Sequence, residues 1–106
     1  VGADDQAICA AAEGLRKSGG GLAVASGSEI RVLPLPVAGL MSDRPGLEVA
    51  KRLQTLLHMA RSLGCTLDEP FMQLSFLALP VIPELKLTDR GLFDTTIFDF
   101  TDGYEL

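Results

Sequence analysis

Residues 19–34 decide the fold, and they read GGGLAVASGSEIRVLP. Side chains alternate over 22–26 and again over 29–33, which is the period of a half-buried strand. The two-residue link Gly27-Ser28 between the two runs is typical of a type II′ turn. The stretch therefore predicts a β-hairpin. Four apolar residues are expected to share its buried face: Leu22, Val24, Ile30 and Val32.

A first helix is predicted ahead of this hairpin. Asp4 or Asp5 can cap its amino terminus, and small apolar residues follow at spacings of three and four. The glycines at 19–21 would end it. A phosphate-binding loop is the alternative for three glycines, but such a loop lies between a strand and the start of a helix, so we favour the helix cap. Val1-Gly2 resembles the tail of a strand whose body lies before residue 1, and a first residue other than Met suggests a piece of a longer chain.

A second helix is predicted after the hairpin. Ser42 or Asp43 would cap it, Pro45 would lie in its first turn, and Gly64 would stop it. The residues before it, 35–41, are apolar but contain a proline and a glycine, so they fit neither a helix nor a central strand.

The rest of the chain is predicted to add strands. Residues 71–79 (FMQLSFLAL) favour a strand, although a short buried helix stays open, and 84–88 and 95–100 are typical of strands. The element order β–α–β–β–α–β–β predicts an α+β fold, with a mostly antiparallel sheet and two main helices packed on it. We expect a single domain over 1–106.

Composition excludes several classes of function. Nine Lys and Arg against fourteen Asp and Glu give a net charge of −5, which argues against a nucleic-acid partner. No apolar run approaches the roughly 18 residues of a membrane span, and no signal peptide is visible, so a cytoplasmic protein is expected. Cys9 and Cys65 are interpreted as two buried thiols rather than a metal or redox pair.

The single imidazole, His58, has no carboxylate three or four residues away on its helix, so it is expected to be a surface or boundary residue rather than a functional one. One His and two distant Cys cannot form a three- or four-ligand metal cage, and the carboxylates show no calcium-loop spacing.

Two irregular apolar segments, 35–41 and 71–83, are the most informative for function. Each is followed by a polar cluster. They are either loops covered within the core, or surfaces that pack against another domain and border its pocket. On the second interpretation, four polar residues become candidate interface or substrate-proximal residues: Ser42, Asp43, Ser75 and Glu84.

Three stretches carry a family resemblance: SGGGLAVASG (18–27), LPLPVAGLMSD (33–43) and LGCTLDEPFMQLSFLALPVIPELKLTDRGLFD (63–94). Together they resemble the C-terminal domain of bacterial adenine deaminase, a member of the amidohydrolase superfamily. The resemblance extends from about Val1 to Phe100, and the last six residues lie outside it.

The resemblance implies a parent enzyme that hydrolyses adenine to hypoxanthine and ammonia. A binuclear Mn or Fe centre would activate water in a catalytic barrel that precedes residue 1. The histidine pair of such barrels is absent here, so this chain is expected to hold no metal and no catalytic residue, and to be inactive alone. The implied partners are the barrel of its own polypeptide, further copies in a homo-oligomer, and adenine as the parent's substrate. The alternative is a stand-alone binding or oligomerisation module.

Overall fold

The computed structural model describes residues 1–102. The chain divides into two units, and the boundary along the sequence lies between Asp68 and Glu69. The first unit holds helix α1 (Asp5–Ser18), strands β1 (Gly21–Ser26) and β2 (Glu29–Pro34), and helix α2 (Gly46–Ser62). The second unit holds helix α3 (Pro70–Leu77) and strands β3 (Leu85–Thr88), β4 (Gly91–Asp94) and β5 (Asp99–Phe100).

Helix α1 begins and ends as its sequence predicts. The Asp4 carboxylate accepts a hydrogen bond of 2.8 Å from the Ala7 N–H, which satisfies one free donor of the first turn. At the other end Gly19 adopts the left-handed conformation, with φ of 76°, and the Gly20 N–H donates to the Leu15 carbonyl over 3.0 Å. This is the Schellman pattern of a helix C-cap, so the alternative of a phosphate loop is excluded for these glycines.

Replacing Asp4 by Ala is expected to lower the free energy of unfolding by about 1 kcal/mol, because the Ala7 N–H loses its acceptor. Asp5→Ala is the matched control. It removes a carboxylate from the first turn but not the cap, so a loss of about 0.3–0.5 kcal/mol is expected. Urea denaturation of both variants checks this, and equal losses would contradict the capping role of Asp4.

The hairpin has the predicted turn but a different distribution of side chains. Gly27 has a φ of 56°, and Ser28 is not among the residues with positive φ, which is the pattern of a type II′ turn. Leu22 pairs with Leu33, and Val24 pairs with Arg31. The prediction of one shared buried face for Leu22, Val24, Ile30 and Val32 is therefore wrong. Partners across a two-residue turn have opposite parity, so Ile30 and Val32 lie on the other face.

Helices cover both faces of this hairpin. On one face Ala23 and Ala25 of β1 form a buried cluster with Ala7 and Ala11 of α1, and partly buried Val32 packs against it. Small side chains on both sides let the helix lie close to the strand. Helix α2 contacts both strands, and a groove between α2 and β2 is lined by Arg31, the partner of Val24 across the hairpin, and by Val32. All three residues at the centre of β1, Ala23 to Ala25, are buried as a result.

Helix α2 starts later than the sequence suggests. It begins at Gly46, and Pro45 occupies the cap position without a side-chain hydrogen bond. The prediction of Ser42 or Asp43 as its cap is wrong. The Ser42 hydroxyl instead accepts from the Arg44 N–H over 3.1 Å, ahead of the helix. The helix ends at Ser62, just before Gly64, as predicted.

The second unit contains the largest secondary-structure error of the sequence analysis. Residues 70–77 form helix α3 rather than a strand, with Pro70 in its first position. Strands β3, β4 and β5 form an antiparallel meander. The strand predicted over 95–100 is reduced to Asp99–Phe100, because residues 95–98 form a turn.

The α+β class is confirmed, with antiparallel pairing throughout the named strands and two main helices packed on the hairpin. The strands divide into a two-stranded and a three-stranded sheet, and α3 adds a third helix. Extension of one domain over 1–106 stays a prediction.

Candidate functional site

Two of the four predicted site residues, Ser42 and Asp43, line the same pocket of the first unit. It has a volume of about 190 Å³ and lies between the end of β2, the loop 35–45 and the start of α2. Asp43 is exposed and lies 3.9 Å from the Arg44 guanidinium, which is a weak surface ion pair. The remaining lining residues are both apolar and basic: Leu33, Pro34, Pro36, Arg44, Val49 and Arg52. The pocket is therefore lined by a hydroxyl, a carboxylate and two guanidinium groups, together with four apolar side chains.

The apolar loop next to this pocket is not covered within the chain. Val37 and Met41 pair through a β-bridge, and the turn between them places Ala38 at a positive φ of 57°. Leu40 is 76% exposed and Met41 is also exposed. None of residues 35–41 is buried, so the interpretation of this segment as a loop covered within the core is wrong, and the alternative of an uncovered surface remains.

The other two candidates, Ser75 and Glu84, lie in the second unit on different elements. The Ser75 hydroxyl donates to the Met72 carbonyl within α3, over 2.7 Å. Glu84 is exposed just ahead of β3, and its backbone carbonyl accepts from both the N–H and the hydroxyl of Thr95. The backbone at Glu84 is thus fixed by the turn after β4, while its carboxylate faces solvent.

Helix α3 is apolar on almost every side and is nevertheless exposed. Only Pro70 and Phe71 are buried. A helix that is apolar all round is normally an interior helix. We name its uncovered residues, together with two that follow, the α3 surface: Met72, Leu74, Phe76, Leu77, Leu79 and Val81.

A second pocket was not foreseen from the sequence. It has a volume of about 300 Å³ and lies in the second unit, where the Phe93 ring makes edge contacts with Phe98 and Phe100 at centroid distances of 5.3 and 5.4 Å. The Arg90 guanidinium lies 5.2 Å from the Phe100 ring centre. The three phenylalanines all lie in the stretch FDTTIFDF (93–100). If this stretch were one continuous strand, their rings would be far apart, whereas the turn at 95–98 brings them together.

The turn at 95–98 also affects the pKa of a neighbouring carboxyl group, that of Asp94. Thr96 donates both its hydroxyl and its N–H to the Asp94 carboxylate, and these hydrogen bonds lower the pKa of Asp94 below its ordinary value. The group is fully exposed, so this is a local feature of the turn.

The remaining reactive residues do not form a site. His58 is exposed, as predicted. Cys9 and Cys65 are both free thiols, but Cys9 is exposed, so the prediction of two buried thiols is wrong, because Cys9 lies on the outer side of α1. Lys86 is 8% exposed, and its ammonium donates to the carbonyls of Pro83 and Leu85.

Within residues 1–102, no three His, Cys, Asp or Glu side chains are grouped so that they could hold a metal ion. These residues do not fit a binuclear centre. In the same range, none of the helices is long and apolar enough to cross a membrane.

The described residues thus form an α+β fold with uncovered apolar segments. The family model of the adenine deaminase C-terminal domain matches residues 1–99, and the chain belongs to that family.

Similar proteins agree with this assignment. The chain is 51% identical over 106 residues to an adenine deaminase of Desulfatibacillum aliphaticivorans, with 99% of the chain and 19% of the relative covered. It is 57% identical over 106 residues to that of Syntrophobacter fumaroxidans, with 99% and 18% covered. It is 52% identical over 102 residues to that of Methanosarcina mazei, with 96% and 18% covered. The chain thus spans about a fifth of the length of these relatives. The stand-alone module is not favoured.

Proposed function

We propose that the chain serves an adenine deaminase that hydrolyses adenine to hypoxanthine and ammonia. The support is the family match over 1–99 together with the two similar proteins of Desulfatibacillum aliphaticivorans and Syntrophobacter fumaroxidans, which carry this name. Because the chain spans about a fifth of those relatives, the catalytic part is assigned to the remaining polypeptide. A cytoplasmic location stays a prediction.

The chemistry is assigned to that other part for a second reason. Hydrolytic deamination of a purine requires an activated water and acid–base groups held close together. The described residues offer no metal-ligand group, and the one His is exposed on α2. We propose that the Mn or Fe centre is held by a barrel outside this chain.

The role proposed for this domain is packing on that barrel, on a partner subunit, or on both. The observation that carries the proposal is the exposure of the α3 surface, which is more apolar than an uncovered helix should be. The exposed residues Leu40, Met41 and Leu47 of the first unit provide a second apolar area, next to the pocket of Ser42 and Asp43. Each of the four candidate residues lies within one of these two apolar areas or follows it in the sequence. This is the position expected of a residue at the border between the domain and an active-site mouth.

Alanine substitutions in the full-length deaminase test the bordering role. If these side chains border the active-site mouth, each alanine variant should have a kcat/KM for adenine that is about tenfold lower, a loss of about 1.4 kcal/mol in transition-state stabilisation. The variants are Ser42→Ala, Asp43→Ala and Glu84→Ala. Asp5→Ala is the control, since Asp5 is an exposed carboxylate on α1, a helix that contributes no residue to either apolar area. Unchanged kinetics in all variants, with intact folding, would reject the bordering role.

Ser75 has a closer control within the chain. Its hydroxyl donates to the Met72 carbonyl, as the Ser62 hydroxyl donates to the Met59 carbonyl, both over 2.7 Å. Ser75→Ala is expected to lower kcat/KM more than Ser62→Ala. Equal effects would mean that only the helical hydrogen bond was lost.

The chain alone is expected to be inactive. Ammonia release from adenine, measured with added Mn on residues 1–106, should equal the rate of a blank, because the residues proposed for catalysis are not in this chain. Metal-dependent turnover by the isolated chain would overturn the assignment of the chemistry to the barrel.

A further inference from the structure

The outer edge of β1 carries a feature that the two-stranded sheet does not explain. The Val1 nitrogen donates to the Ala23 carbonyl over 2.7 Å, and the Ala25 N–H donates to the Val1 carbonyl over 2.9 Å. Val1 thus donates to the residue before Val24 and accepts from the residue after it. This is the hydrogen-bond pattern of a parallel bridge between Val1 and Val24. Val1 therefore lies beside Val24 as a strand residue would, and it runs in the same direction as β1.

The burial of β1 points the same way. Val24 and Ala25 are fully buried although their side chains point to opposite faces of the strand. A strand covered by helices on both faces is typical of the interior of a sheet, whereas an edge strand is usually short, charged or interrupted. Among the strands of residues 1–102, β2 is the one paired with β1, and the other edge of β1 is bonded to Val1. β1 thus has the burial of an interior strand but a full-length partner on one side.

The connection from Val1 to β1 has the form required between parallel strands. Residues 2–20 contain α1, and parallel neighbours need a crossover of a dozen residues or more, usually a helix. Gly2 makes the entry into this crossover tight, because a Cβ there would lie 2.6 Å from the Ile8 nitrogen. Burial also lowers the pKa of the Val1 amine, and an uncharged amide N–H would suit this position better.

We propose that β1 is the central strand of a mixed sheet, and that the polypeptide directly preceding Val1 forms a third strand parallel to it. The matched relatives have about four-fifths of their length outside this chain, so such a segment is available in them. The register follows from Val1 beside Val24. The residue two positions before Val1 lies beside Leu22, and its N–H and C=O bond to Gly21 and Ala23. The strand, α1 and β1 form a right-handed βαβ unit.

The proposal makes a prediction that the longer sequence can check at once. A parallel strand covered by helices on both faces reads as a nearly continuous apolar run. The four residues before Val1 are therefore expected to be apolar and rich in β-branched types. Charged residues or a proline among them would contradict the proposal.

Cross-linking in the full-length deaminase tests register and direction. In a Cys9→Ser, Cys65→Ser background, Leu22→Cys is combined with a cysteine two positions before Val1. A short bismaleimide, which adds one cysteine thiol to each of its two maleimide rings, is expected to link this pair. The matched control has its second cysteine one position before Val1, where the side chain points to the opposite face, and should not be linked. Absence of linkage in the first pair, or equal linkage in both, would overturn the proposal.

A measurement on the unsubstituted full-length protein decides the case even if the cysteine variants do not fold. The Ala23 and Ala25 N–H groups both point to the outer edge, and Ala25 already bonds to Val1. Both are expected to exchange with deuterium at rates within about threefold of each other. Exchange of Ala23 at a rate near that of Ser28, in the exposed turn, would overturn the proposal. Both tests are independent of the substrate, so their failure leaves the proposed deaminase function untouched.

Discussion

Replacement of Gly21 by Ala is expected to lower the free energy of unfolding of the first unit by at least about 3 kcal/mol. Gly21 has a φ of 138°, a conformation that side-chain-bearing residues rarely adopt, and this strain alone costs about 1–3 kcal/mol. A Cβ would also overlap the Leu33 carbonyl oxygen on the paired strand. Because that oxygen belongs to backbone, relief requires the hairpin itself to shift.

Gly19→Ala is the matched control for this prediction. Gly19 lies two residues earlier, has a φ of 76° and has nothing within 4 Å of a built Cβ. It should lose only the left-handed cap preference, about 1–2 kcal/mol. Chemical denaturation of both variants checks the difference. If Gly19→Ala is as damaging as Gly21→Ala, the clash at Leu33 is not the cause.

Phe76→Glu is expected to have the second large effect, in the full-length deaminase. Phe76 is 43% exposed in the described chain and belongs to the α3 surface. If this surface packs on the rest of the enzyme, the substitution removes a buried ring worth about 1.5–3 kcal/mol and places a carboxylate in an apolar contact. A loss of at least about 3 kcal/mol in stability is expected, with lower deaminase activity at working temperature.

Gln73→Glu supplies the control, because Gln73 is an exposed polar residue on the same helix. It introduces the same charge and should change the thermal midpoint by only 1 °C or so, as surface substitutions usually shift stability by less than about 0.5 kcal/mol. Thermal unfolding and adenine turnover are measured on both variants. Equal behaviour of the two would argue that α3 faces solvent in the whole enzyme.

The first unit was the more predictable part of the fold, because its signals are local. Glycines and a capping carboxylate mark both ends of α1, and Gly27-Ser28 sets the hairpin register by itself. The side-chain faces were assigned wrongly because alternation within each strand was read without the pairing across the turn. Once Ser26 is placed opposite Glu29, the pairing puts Ile30 on the face of Ala25.

The second unit was less predictable, because its apolar pattern has no single period. Met72, Leu74 and Phe76 alternate as in a strand, and their neighbours Phe71 and Leu77 are also apolar. Pro70 at the first helical position was the signal that distinguishes the two possibilities. The sequence left two interpretations open for 71–83, a covered loop or an outer surface, since periodicity does not show whether apolar residues face the core of their own chain. The exposure of 72–81 contradicts the covered loop.

The candidate site was predictable only as a pair of segments. The sequence placed Ser42 and Asp43 next to an irregular apolar loop, and both line one pocket beside it. The aromatic pocket around Phe93 depends on a turn that brings rings from different positions together, and no sequence spacing indicates that geometry.

Oxidation of individual methionines in the full-length deaminase tests the central claim most directly. Met72 of the α3 surface is 56% exposed in the described chain, whereas Met59 of α2 is 8% exposed. Dilute peroxide followed by mass spectrometry gives the rate at each sulfur. If α3 packs on the catalytic part or on a partner subunit, Met72 is oxidised about as slowly as Met59. Oxidation of Met72 at tenfold the rate of Met59 or more would show that the surface is open to solvent in the whole enzyme, and would contradict the proposed packing.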